Sequence, residues 1–188
     1  MYKQCKTAQS AARQRQLEEG LLQIMGTRRY EEITVSELCQ KLNIPRKSFY
    51  RYFDSKDGAL WALIDHTLQD YKTYDPDRGR ASRKELHRFF VFWRHQKKLL
   101  DALLRSGLSG VLIERTVGYA LRSGILPERF LPQDSPETQK QITVFSVCGL
   151  MSMVLTWHRG GYAQTTAAMA SVAARLLSQP LFSETDGK

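Results

Sequence analysis

Cysteine is scarce and scattered in this sequence. Cys5, Cys39 and Cys148 stand far apart with no Cys-x-x-Cys, which argues against a disulfide framework or a zinc–thiolate site and suits a reducing cytosol. Histidine is nearly as sparse. His66, His87, His95 and His158 never fall at i, i+4 spacing, and His-Glu-x-x-His, Gly-x-Ser-x-Gly and Walker-type loops are all missing. A lone histidine in a helix is more often a surface or core residue than a ligand or a base. With no nucleophile beside its base and no paired carboxylates, the expectation is a non-enzyme with no catalytic residue, no metal and no cofactor. Long apolar runs are lacking too. MYKQCKTAQSAARQRQ contains no apolar segment of the kind a secretory signal needs. The longest apolar run, 142–157, is short of a membrane span and is broken by Thr143, Ser146 and Ser152. The expected compartment is the cytoplasm, with no membrane partner.

What is present is an ordinary globular composition: 188 residues, 42% hydrophobic and 25% charged. The net charge of +9 suggests a polyanionic partner. That excess is not localised: residues 1–60 carry 11 Lys and Arg against 7 Asp and Glu, and the remainder carries 17 against 12. Charge supports a nucleic-acid reading without proving it.

The stretch that organises the chain is ITVSELCQKLNIPRKSFYRYFDSK, residues 33–56. Thr34 and Glu37 form a capping-box pattern. Val35, Leu38, Cys39 and Leu42 then give a short helix one apolar stripe. Asn43 tolerates the left-handed conformation of a sharp helix exit, and Pro45 suits the first position of a new helix. Phe49, Tyr52 and Phe53 can turn inward. Arg46, Lys47, Tyr50 and Arg51 are left as an outward basic and aromatic face. The spacing predicts a helix-turn-helix at about 33–52, with residues 45–52 as the recognition helix.

Tyr30-x-x-Ile33-Thr34-Val35, followed after the turn by Ser48-Phe49-Tyr50-x-Tyr52-Phe53-x-Ser55-Lys56-Asp57, resembles the DNA-binding domain of the tetracycline-repressor (TetR) family. The likeness covers about the first third of the chain. Leu42-Asn43 replaces the Ala-Gly that many relatives carry in the turn, and Tyr52 stands at a position that is often His; these departures bear on base preference and not on the module. The resemblance implies an all-α fold: an N-terminal three-helix helix-turn-helix domain and a C-terminal helical effector and dimerisation domain. We place these at 1–56 and 57–188, the second including a connecting helix at 57–74. Lys56 matches a position where relatives touch a phosphate.

Read in order, residues 1 to about 8 form a polar, basic segment expected to be a mobile arm. Leu17, Leu21, Ile24 and Met25 mark a first helix ending near Gly26. The connecting helix opens with Ser55 as cap and Asp57 in its first turn, where a negative charge suits the helix dipole. Residues 74–80 read as a linker. A basic helix follows from about residue 82, and its apolar pattern continues through Leu104 to a break at Ser106-Gly107. Further helices are expected at about 108–122, 136–159 and 165–177, with the Pro-containing loop 124–136 between the first two. The last two helices look like half of a four-helix interface, the place where TetR-family subunits meet. Ser146, Gly149, Met153, Met169, Val172 and Leu176 are the expected interface residues.

The resulting expectation is a sequence-specific transcription regulator, a ligand-responsive repressor acting as a homodimer on a palindromic, double-stranded DNA operator. Thr34, Ser36, Tyr50, Tyr52 and Lys56 are assigned to phosphates, and Arg46, Lys47, Ser48 and Arg51 to base edges. An unknown small-molecule effector would occupy an apolar pocket among Phe89, Phe92, Trp93, Tyr119, Phe145, Met151 and Trp157, although residues at such spacing also serve as plain core. The alternative is a TetR-like protein-interaction module that does not read DNA.

Overall fold

The computed structural model describes residues 1–74, 83–123 and 135–178. Helix α1 (Ala8–Met25) begins where the Thr7 hydroxyl accepts the Ser10 N–H at 3.2 Å. A 3-10 turn at Tyr30–Glu32 leads into α2 (Val35–Lys41) and α3 (Arg46–Tyr50). Helices α4 (Lys56–Tyr74), α5 (Arg83–His95), α6 (Lys97–Arg105), α7 (Ser109–Ser123), α8 (Pro136–Arg159) and α9 (Thr166–Ser178) follow. The described residues form no β-strand, and the fold is all-α as expected.

These helices sort into two compact units: Met1–Asp70 with Gln96–Tyr119, and Tyr71–His95 with Ala120–Lys188. This division does not follow the boundary expected at residue 56, because most of α4, all of α6 and most of α7 pack with the N-terminal helices. The bonds responsible are specific. Ser106 accepts the Tyr30 N–H at 2.9 Å, and the Arg105 guanidinium donates to the carbonyls of Met25 and Gly26 at the end of α1. Arg115 on α7 forms a bidentate pair with Asp65 on α4. The core of this unit is Leu17, Leu21, Met25, Leu38, Phe49, Phe53, Leu60 and Ile64, all at most 2% exposed.

In the second unit α5 packs mainly on α9 and also on α8. His87 Nε2 lies 2.9 Å from the Thr166 hydroxyl, and the Trp157 indole N–H donates to Gln164 O at 2.9 Å. The expected single basic helix is two: Gln96, at φ −84° and ψ 24°, interrupts it without Pro or Gly. Helix α8 extends beyond the apolar run on both sides. By length and composition it could cross a membrane, with 24 residues and a window of mean hydropathy 1.3, of which 44% is buried inside the protein.

One further expectation changes. Residues 1–5 are docked and are not a free arm: Lys3 N–H donates to Tyr52 O at 2.9 Å, and Tyr2 bridges Phe53 in antiparallel fashion. The linker expected at 74–80, most of the loop expected at 124–136 and the stop at Gly124 lie outside the described residues.

Candidate nucleic-acid interface

The first turn of α2 is built as its residues dictate. Thr34 Oγ1 accepts Glu37 N–H at 3.2 Å, and Glu37 accepts the Thr34 N–H at 2.8 Å, completing a capping box. Glu37 also accepts from Arg28 at 2.7 Å. The Arg28 guanidinium, joined by the backbone and hydroxyl of Thr34, holds the Glu37 carboxyl down at about 2.

The exit from α2 is a Schellman turn. Asn43 adopts φ +50°, and Ile44 N–H donates to Cys39 O at 2.9 Å. Pro45 sits one position earlier than expected, at the N-cap of α3, with φ −64° and ψ 143°. Leu42, at the turn, is half-buried against Gly20 on α1, where an added Cβ would stand 2.6 Å from Leu42 Cδ1. That close approach sets how tightly α1 can lie across the turn.

On α3 the inward and outward sides divide sharply. Phe49 and Phe53 are fully buried, with ring centroids 5.1 Å apart. Arg46, Lys47, Tyr50 and Arg51 are exposed, and Ser48 is half-buried between the two sides. Arg46 stacks 5.9 Å from the Tyr50 ring centroid and reaches the Tyr50 hydroxyl at 3.4 Å, so the two side chains form one projecting surface. Thr34 and Ser36, at the start of α2, are exposed as well.

Two of the residues assigned to phosphates stand elsewhere. Tyr52 is 8% exposed and belongs to the core. The Lys56 ammonium donates to Tyr30 O at 2.6 Å and to Ile33 O at 2.7 Å, beneath the 3-10 turn. The Lys56 N–H groups that a phosphate would need are engaged inside the domain.

The structure adds basic residues that the sequence did not single out. Arg13 on α1 lines an open groove of about 550 Å³ together with Ser10, Ser48 and Arg51. Lys3 Nζ donates to Tyr50 O at 3.2 Å. Only the tertiary fold brings these cations beside α3; polarity in the first residues was the sole signal in the sequence.

Residues 19–62 match the profile of the family described as "Bacterial regulatory proteins, tetR family". Over these residues the chain is similar to the TetR family. The TetR-family helix-turn-helix is a DNA-binding domain of transcription regulators. Over 75 residues the chain is 31% identical to the HTH-type transcriptional regulator EthR of Mycolicibacterium smegmatis. That match takes in 36% of this chain and only 35% of EthR, so the chain spans about a third of that relative's length. Two solved structures resemble the whole fold. The dihydroxyacetone kinase operon activator DhaS matches with TM-score 0.56 at 16% identity, covering 87% of this chain and 93% of DhaS. The fatty acid degradation regulator FadR from Bacillus halodurans matches with TM-score 0.54 at 14% identity, covering 95% of this chain and 98% of FadR. At such identity these likenesses establish the all-α fold alone.

In the second unit the expected pocket residues largely form core. Phe92, Trp93, Met151 and Trp157 are buried, and Phe89 meets Trp93 at 6.3 Å between ring centroids. Phe90 joins Trp157 to this cluster at 5.8 Å. Phe145 is 66% exposed and lies outside it, and Tyr119 belongs to the first unit. Of the expected interface residues, Val172 and Leu176 are 39% and 43% exposed, Gly149 is exposed and Met153 half-buried, while Ser146 and Met169 are buried. No group of three His, Cys, Asp or Glu able to hold a metal occurs among the described residues.

Proposed function

We propose that this protein is a cytoplasmic, ligand-responsive transcriptional repressor that binds a palindromic operator as a homodimer. The observation that carries the reading is the two-sidedness of α3: Phe49 is fully buried while Arg46, Lys47, Tyr50 and Arg51 project into solvent. A helix placed this way presents cations and an aromatic ring to a major groove. Arg46, Lys47, Ser48 and Arg51 are assigned to base edges, where an Arg fork pairs with guanine O6 and N7. Thr34, Ser36 and Tyr50 are assigned to phosphates, and Arg13 joins them because it flanks Ser48 and Arg51. Tyr52 and Lys56 are left out, since one is buried and the other is bonded inward.

The exposed apolar side chains of Phe145 on α8 and of Val172 and Leu176 on α9 support the homodimer. A groove of about 510 Å³ beside them, lined by Gly149, Met153, Trp157 and Met169, supplies concave surface for an isologous contact. A small effector that loosens the second unit's aromatic cluster would release DNA only if it binds the non-matching state more tightly.

The reading is tested by titrating selected DNA at two salt concentrations with wild type, Arg46→Ala and Lys47→Ala. Removing a base-reading residue weakens specific binding more than non-specific binding, by roughly 1–3 kcal/mol. Variants that leave both affinities and the salt slope unchanged would remove α3 from the interface.

A further inference from the structure

The segment Met1–Lys3 occupies a place that its polarity does not suggest. It runs antiparallel to residues 52–54: Lys3 N–H donates to Tyr52 O at 2.9 Å, and Asp54 N–H donates to Met1 O at 3.1 Å. The Lys3 ammonium reaches one turn further back, to Tyr50 O at 3.2 Å. Helix α3 needs such support. It has five residues, too few to hold a helical geometry alone, and its last carbonyls have no partner within the helix.

The segment is anchored at its other side. Tyr2 OH donates to Asp65 Oδ2 at 2.8 Å, and the Tyr2 ring meets His66 edge-on at 5.7 Å. Burial, with Asp65 as hydrogen-bond partner, pushes the Tyr2 hydroxyl up to about 12, so it stays a donor at neutral pH. Asp65 is shared: Arg115 Nε donates to its other oxygen at 3.0 Å, and the Arg115 guanidinium lies 5.5 Å from the Trp61 ring centroid. One carboxylate, 5% exposed, therefore joins the segment to α4 and α7.

Gly58 shows how closely the parts fit. Any Cβ built there would overlap the carbonyl oxygen of Met1. Inside a helix a glycine costs about 1 kcal/mol against alanine, and the close passage of Met1 gives it a reason to be there.

We propose that Met1–Lys3 is a positioning strand for DNA reading. It caps the C-terminal end of α3 from outside the helix and ties the pose of that helix to the Asp65–Arg115 pair. The residues act through α3 and need not touch DNA. The role rests on the DNA-reading function proposed above.

Gly58→Ala and Tyr2→Phe in the full chain separate this role from general stability. Helix propensity alone makes Gly58→Ala neutral or stabilising, whereas loss of the strand frees the amides of Lys3 and Asp54. The expected result for Gly58→Ala is hydrogen exchange at those two amides faster by about tenfold or more. Specific DNA affinity falls roughly tenfold with non-specific affinity held within about twofold, the size expected for two or three lost hydrogen bonds. Tyr2→Phe gives the same pattern at about threefold. A merely structural role would lower the melting temperature and leave the specific-to-non-specific ratio alone. Unchanged exchange in Gly58→Ala, or faster exchange with an unchanged ratio, overturns the proposal. A wild type that binds all fragments equally overturns the DNA reading itself, and that failure is visible before any variant is made.

Discussion

Lys56 holds its ammonium 4.2 Å from the centroid of the Tyr30 ring and donates to that residue's own carbonyl at 2.6 Å. Tyr30 in turn donates its hydroxyl to Asp57, one residue further along α4, at 2.5 Å. Burial, then Asp57, pushes the Tyr30 hydroxyl well above its usual range. The start of α4 and the 3-10 turn are thus clamped by two reciprocal bonds and a cation over a ring.

Lys56→Met should therefore act on stability. Hydrogen bonds from a charged donor contribute about 2 kcal/mol, and a loss of that order is expected in urea unfolding. The salt slope of DNA binding should stay where it is in the wild type. A slope flatter by about one unit would put Lys56 on a phosphate after all.

Glu37 predicts an acid sensitivity with a definite sign. Its carboxyl is held at about 2, chiefly by Arg28 and then by Thr34, below the usual carboxylate range. A depressed carboxyl contributes stability above the unfolded-state value and loses it as pH falls toward about 2. Wild type should exceed Glu37→Gln in thermal stability at neutral pH, and the gap should close on acidification across that window. A gap that persists unchanged to the acid end would mean that the capping box, not the charge, carries the difference.

Ser106 joins α6 to the 3-10 turn through the Tyr30 N–H at 2.9 Å, and it is 3% exposed. Ser106→Ala leaves a buried backbone donor without its partner, at a cost of about 1–3 kcal/mol. Amide exchange at Tyr30 should accelerate in the variant. Ordinary protection there would mean another acceptor takes the bond.

The exposed apolar side chains on α8 and α9 predict a change of oligomeric state. Phe145 and Leu176 are 66% and 43% exposed, so replacing them with Ser should hardly disturb the subunit's own core. Light scattering across a dilution series should find a wild-type dimer and a Phe145→Ser, Leu176→Ser monomer of unchanged helicity. A wild-type monomer, or a variant that dimerises as well, contradicts the proposed interface.

The parts of this fold legible in the sequence are those set by neighbours along the chain. The Thr34–Glu37 box, the left-handed Asn43 and the Gly26 and Gly107 helix stops each follow from contacts within a turn, and the structure has them all. The outward face of α3 was legible for the same reason, because Phe49 and Phe53 fix which side turns in. What was hidden depends on partners far away in sequence. Lys56 is turned inward by carbonyls 23 and 26 residues earlier. Tyr2 is ordered by a carboxylate 63 residues later, and Ser106 binds a backbone group 76 residues earlier. Likewise Phe145 and Phe92 look alike as apolar positions in helices, and only packing separates a surface residue from a core one.

Selection of bound fragments from a genomic library, followed by titration of the best fragment at two salt concentrations, tests the central claim most directly. The account predicts one enriched palindrome, bound with steep salt dependence and far more tightly than unrelated DNA. Equal, weak binding to every fragment would contradict it and leave α3 as a basic surface that reads no sequence.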